Sequence, residues 1–156
     1  MKIISVDIGT SRIKTACFDE YGKMSCLLSK RLDRASSPNI QNADEWFQVT
    51  AMLLKELVEQ IGSGPDVVVL TGNMHALLGV DRFGNPVSPA VLWSDNSAVI
   101  ESDFLNEYYG NELISISGNQ STPVFTLPKI MQMKQNRKDL YDSVCTFMQR
   151  DRKSVV

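Results

Sequence analysis

The sequence predicts a mixed α/β fold, a partly antiparallel sheet with helices packed on its faces. Three observations predict it. Three β-type runs crowd the first 29 residues, too close together for any crossover helix. A long helical stretch with a broad apolar stripe follows them. After that helix comes the β-branched run Val67-Val68-Val69-Leu70, bounded by Pro65 and Gly72. A strand reached through a helical crossover is expected to lie parallel to the first strand, and a run this apolar to be buried on both faces.

Ile3 to Ile8 is nearly continuous in apolar residues and reads as a strand. Ile13 to Phe18 alternates with period two, and Asp19-Glu20-Tyr21-Gly22 is a turn leading to a third strand over Lys23 to Ser29. Asn42 and Glu45 have the spacing of a capping box. Trp46, Thr50, Leu53, Leu57 and Ile61 then recur at helical spacing, with Phe47, Leu54 and Val58 beside them and Gly62 as the stop. Arg82-Phe83-Gly84-Asn85-Pro86 separates two β-type stretches, Ala76 to Val80 and Val87 to Trp93, and predicts a hairpin. Ile100, Phe104 and Tyr108 mark a second helix ended by Gly110. Thr126 is placed to cap a third, with Pro128 in its first turn. Val144 to Met148 reads as a last strand.

Composition narrows the function. Apolar residues make up 43% of the 156 and charged residues 22%, the balance of a globular chain able to bury a core. The formal net charge is −2, and the one basic cluster, Arg150-Asp151-Arg152-Lys153, is interrupted by an acid, so nothing points to nucleic acid. Cys17, Cys26 and Cys145 have neither metal-ligand nor CxxC spacing and fit a reducing compartment. The first apolar stretch is short and broken by Asp7, unlike a signal peptide, and no run reaches membrane-spanning length. These features predict a cytoplasmic protein without membrane or nucleic-acid partners.

Three segments carry candidate chemistry. Asp7-Ile8-Gly9-Thr10-Ser11 ends the first strand. Gly9 admits close approach of a ligand, and the hydroxyls and free amides suit phosphate oxygens. Asp7 can support Mg²⁺ through water, and Lys14 adds positive charge. A plain hairpin turn competes with this reading, and a Walker A loop does not fit the glycine spacing. Asn73-Met74-His75 follows the β-branched run and holds the chain's single histidine. A hydrogen-bonded structural histidine is the competing reading, but the carboxyl end of a parallel strand is where open sheets bind ligands. Trp93-Ser94-Asp95-Asn96 offers a flat apolar wall and a carboxylate acceptor, as a polyol requires, against helix capping by Asp95, Asn96 or Ser97.

In order and spacing these segments resemble the FGGY carbohydrate kinases: Asp7-Ile8-Gly9-Thr10-Ser11 with Lys14, then Met74-His75, then Leu92-Trp93-Ser94-Asp95. Ser117-Gly118-Asn119 and Pro123-Val124-Phe125-Thr126-Leu127-Pro128-Lys129 resemble the Thr-Gly-Asn and Gly-Phe-Thr-Ala-Pro-Lys of the family's xylulokinase branch. Gluconate kinases share the Met-His pair and a Trp-Ala-Asp-Asn. An actin- or chaperone-type ATPase shares Asp-x-Gly-Thr but accounts for neither Met74-His75 nor the later stretch. The resemblance runs from about Lys2 to Asp151.

The resemblance implies an actin-like, ribonuclease H-like fold with a mixed five-stranded sheet, its first three strands antiparallel and helices on both faces. Residues 1–151 correspond to a sugar-binding N-terminal lobe, incomplete. Residues 152–156 depart from the family's pattern as a truncation or frame shift would, and the ATP lobe has no counterpart. The implied activity is transfer of the γ-phosphate of ATP to a sugar hydroxyl, D-xylulose to D-xylulose 5-phosphate first and gluconate or another polyol second. ATP and Mg²⁺ are the implied cofactors, and a homodimer is compatible. Met74, His75, Trp93 and Asp95 would contact sugar; Gly9, Thr10, Ser11 and Lys14 would contact phosphate; Asp7 would support catalysis and Mg²⁺. The family's general base lies later than Val156, so the isolated chain is expected to be inactive, and a non-catalytic sugar-binding or interaction lobe is the alternative. Three residues depart from the pattern: Arg12 stands for a small residue, Asn73 for a glutamine or serine, and Ser97 for an arginine.

Overall fold

The computed structural model describes residues 1–33, 38–72 and 74–149. Asn73 and the stretch from Arg150 onward, including the 152–156 tail, lie outside the described residues. The elements run β1 (Ile3–Ile8), β2 (Arg12–Phe18), β3 (Met24–Arg31), β4 (Ile40–Gln41), α1 (Ala43–Ile61), β5 (Val67–Gly72), β6 (Leu77–Val80), β7 (Ala90–Val91), α2 (Val99–Ser117), α3 (Thr126–Asn136), α4 (Lys138–Ser143) and β8 (Thr146–Gln149). They form two compact units. One is built from the described residues of Met1–Ala35 and Asn42–Asn73, the other from those of Ser36–Gln41 and Met74–Arg150.

The first unit is a mixed sheet in the order β3-β2-β1-β5. β1 to β3 form the expected antiparallel meander, and β5 lies parallel to β1. Ladder pairing puts Ile4, Val6, Ile13, Thr15 and Cys17 on one face, where all are buried. That face carries α1: the Cys26 Sγ, opposite Cys17, lies 3.0 Å from Gln60 Oε1 of the helix, and the Lys30 ammonium, opposite Ile13, contacts Met52. α1 answers with Trp46, Val49, Leu53 and Leu57, the last fully buried. Phe47, expected beside the stripe, is 77% exposed because it falls on the helix's outer side. Asn42 caps the helix by accepting from the Asp44 N–H, and Gly62 ends it at φ 70°. Glu45 does not close a capping box; its carboxylate accepts from the Asp33 N–H at 2.6 Å instead.

Two expectations for this unit are corrected. The mixed sheet has four strands among the described residues, not five, and α1 is the one helix that this unit supplies. β5 is not buried on both faces: Val67, Val68, Val69 and Leu70 are 44% to 64% exposed, because β5 is the edge of the sheet and α1 lies over β2 and β3.

The second unit contains a sheet in the order β4-β7-β6-β8. The expected hairpin is present and its turn is tightly built. The Asp81 carboxylate accepts from the Phe83 and Asn85 N–H groups at 2.8 and 2.9 Å, and Gly84 takes a positive φ of 85°. α2 runs through Gly110 and ends at Gly118, which supplies the left-handed residue at φ 72°. Its expected apolar stripe faces outward: Ile100, Phe104 and Tyr108 are exposed, whereas Glu101, Ser102 and Leu105 are buried. Thr126 does not cap α3, whose N-cap is Phe125; the Thr126 hydroxyl instead accepts from Gln149 Nε2 at 2.7 Å.

An unpaired strand edge made of four exposed apolar residues is a template for pairing between chains. The 156-residue chain is expected to self-associate. Size-exclusion chromatography with light scattering should show oligomers at high concentration, and a clean monomer would contradict this.

Candidate functional site

The candidate residues divide between the two units. In the first, Asp7 sits in the last turn of β1, directly opposite Lys14 on β2 and Thr71 on β5, so all three share one face of the sheet. This is the face opposite α1. The loop that follows is tight. The Gly9 N–H donates to the Arg12 carbonyl at 3.0 Å, and a Cβ on Gly9 would stand 2.8 Å from that same oxygen. Glycine is required here by close backbone approach. The Asp7 Oδ2 lies on the same side, 3.9 Å from where that Cβ would be, so the carboxylate leans toward the loop. Thr10 is half-buried, while Ser11 and Lys14 are exposed. Arg12 pairs across the ladder with Arg31. Like charges directly opposite are unfavourable alone and are relieved by an anion. Arg31 is a cation of this loop that sequence reasoning missed, because only the β2–β3 register reveals it.

In the second unit, Met74 is 61% exposed and His75 is half-buried. His75 has φ 58°, the one non-glycine residue with positive φ among those described. Its imidazole packs on Phe125, ring centroids 4.8 Å apart and tilted by 40°. It makes no hydrogen bond to another described residue. Trp93 is about half-exposed.

Asp95 belongs to a different setting. It lines a groove of about 430 Å³ with Ser97, Lys129 and Gln132 over Leu77 and Val91, and neither His75 nor Trp93 lines it. Asp95 Oδ1 accepts from the Ser97 N–H at 3.0 Å and from its hydroxyl at 2.6 Å. None of Asp95, Asn96 and Ser97 caps α2, whose N-cap is Ala98. Ser97, in place of the family's arginine, therefore orients the carboxylate by itself. The positive charge comes from Lys129, which is 3% exposed and donates to the Leu92 carbonyl at 2.6 Å. Burial pushes the Lys129 ammonium below its ordinary pKa, and Asp95 partly offsets that. Lys129 stood in the sequence as the end of a family-like stretch, but its burial could not be read there.

With this geometry in hand, comparison with known proteins is decisive. The N-terminal domain of the FGGY family of carbohydrate kinases matches residues 2–152. The chain belongs to the FGGY family of carbohydrate kinases. It is 29% identical over 152 residues to the xylulose kinase of Bacillus subtilis, covering 94% of this chain and 30% of that protein. It is 30% identical over 151 residues to the xylulose kinase of Staphylococcus xylosus, covering 94% and 31%. The crystal structure of xylulose kinase from Rhodospirillum rubrum superimposes with a TM-score of 0.88 at 18% identity, over 96% of this chain and 32% of that one. The actin-like fold expected of an FGGY kinase is thus the fold of this chain, which spans about 30% of the length of the curated relatives it matches. Among the described residues, no FGGY-domain helix is long and apolar enough to cross a membrane.

The buried Lys129 gives a pH signature. Its pKa in the fold lies below the unfolded value near 10.5, so the unfolded chain binds more protons between the two. The penalty for burying the cation is fully present at neutral pH and is removed as pH rises through the lowered pKa toward 10.5. Urea unfolding at pH 7 and pH 10 should therefore show the parent gaining stability relative to Lys129→Met at the higher pH. A difference independent of pH would contradict a depressed pKa.

Proposed function

We propose that this chain is the sugar-binding part of an ATP-dependent kinase that phosphorylates a ketose, D-xylulose to D-xylulose 5-phosphate. The observation that carries the proposal is His75. It follows the carboxyl end of β5 in a left-handed conformation, with an imidazole that no described residue engages by hydrogen bond. A strained side chain left available at a strand's carboxyl end is the arrangement of a ligand contact. The names of the relatives favour xylulose as the sugar.

The division of work follows from the two units. His75 donates to a sugar hydroxyl while Met74 and Trp93 offer apolar surface to the ring carbons. Asp95 is held ready as an acceptor. In the first unit, the Gly9-Thr10-Ser11 loop and Lys14 face phosphate oxygens. Asp7, a single carboxylate leaning toward the Gly9 loop, would support a Mg²⁺ ion that keeps most of its water shell. Mg²⁺-ATP supplies the transferring phosphoryl group and its charge neutralisation. This chain's residues supply positioning, which is most of what phosphoryl transfer asks of a protein. In the reading proposed, the proton of the attacking hydroxyl goes to an aspartate base, a role assigned to none of the residues named above. The 156 residues, about 30% of the length of the curated relatives, are expected to release no ADP with any sugar on their own.

In the full-length protein, His75→Ala should lower kcat/KM for the sugar roughly ten- to a hundredfold, the loss of one hydrogen bond of about 1–3 kcal/mol, and leave ATP binding intact. Asp7→Ala should instead lower kcat at saturating sugar. Coupled ADP-release kinetics separate the two. Unchanged sugar kinetics per folded molecule in His75→Ala would overturn the assignment.

A further inference from the structure

We infer that Phe125 is the positioning residue for His75: it holds the imidazole in its left-handed backbone setting and thereby sets how the ring meets the sugar. The inference rests on the reading of His75 as a sugar contact and goes beyond it, to the residue that fixes that contact.

Histidine tolerates φ 58° better than most side chains, yet the conformation still carries a backbone cost that favourable surroundings offset. The described contact on its ring is Phe125, at 4.8 Å and tilted by 40°, within the range where aromatic pairs attract. A stack can hold a strained residue only if its own partner is fixed, and Phe125 is fixed from both sides. On the N-terminal side, Asn106 of α2 grips Ser121 with two hydrogen bonds. Its Oδ1 accepts from the Ser121 N–H at 2.8 Å, and its Nδ2 donates to the Ser121 carbonyl at 2.9 Å. The buried Ser102 and Ser121 hydroxyls add a third link at 3.3 Å. The chain then turns, with the Phe125 N–H donating to the Thr122 carbonyl at 3.0 Å. On the C-terminal side, the Thr126 hydroxyl accepts from Gln149, and Lys129 is tied to the Leu92 carbonyl. The buried Ser102 of α2 thus ties the buried Ser121 of the following loop to the helix, which fixes where the loop presents the Phe125 ring.

The test uses the full-length protein with Phe125→Leu, which keeps apolar volume without a ring, Phe125→Tyr, which keeps the ring, and His75→Gln. The histidine NMR resonance absent from His75→Gln is that of His75. In the parent it should be displaced upfield by the Phe125 ring current. Phe125→Leu should return it toward the free-histidine position, raise KM for D-xylulose roughly three- to tenfold and leave KM for ATP unchanged. Phe125→Tyr should restore both. An unmoved resonance in Phe125→Leu overturns the proposal. So does a moved resonance with sugar KM unchanged while His75→Gln raises it. If His75→Gln itself leaves sugar KM unchanged, the sugar-site reading fails, and the resonance still decides whether Phe125 holds the ring.

Discussion

The double pairing of β1 is the constraint on which the first unit depends. All six of its residues pair antiparallel with β2 and parallel with β5, in unbroken register from Ile3 to Ile8. An unbroken ladder satisfies the strand's backbone groups on both edges and forbids slippage, since a one-residue shift would turn Ile4 and Val6 out of the core. The same register fixes which face Asp7 occupies. It also makes β1 and β5 end together, so that the Gly9 turn leaves β1 beside the end of β5.

The second unit achieves order by polar means. Asp81 organises a turn, Asn106 and Ser121 clamp a loop, and Lys129 ties α3 to the segment after β7. Each is a side chain bonded to backbone, which fixes a loop without the area that a small unit cannot bury. Burying the Lys129 cation is costly, and the Leu92 carbonyl and Asp95 offset part of it. That position is therefore better explained by the geometry it imposes on the Trp93–Asp95 segment than by stability.

Much of this was legible in the sequence. The meander, the long helix and its Gly62 stop, the parallel β5 and the hairpin all follow from local pattern and turn chemistry. What was not legible depended on tertiary position. Val67 to Leu70 reads as a buried strand because composition records hydrophobicity, not which neighbour is present. Ile100, Phe104 and Tyr108 have helical spacing, yet α2 turns Glu101, Ser102 and Leu105 inward, where Ser102 meets Ser121. Glu45 has the right spacing for a capping box but finds the Asp33 N–H closer. Met74, His75, Trp93 and Asp95 read as one sugar site, whereas His75 stacks on Phe125 and Asp95 sits in a groove with Lys129. Spacing alone did not separate these neighbourhoods; ring contacts and the groove lining do.

The central claim is that sugar is met at the segment following β5 and nucleotide at the β1–β2 turn. Hydrogen exchange on the full-length protein, read by mass spectrometry, tests it most directly. D-xylulose alone should protect amides over residues 71–79 and leave residues 7–14 unchanged, and Mg²⁺ with nucleotide should do the reverse. Sugar that leaves residues 71–79 unprotected, or protects the β1–β2 turn instead, would contradict the account.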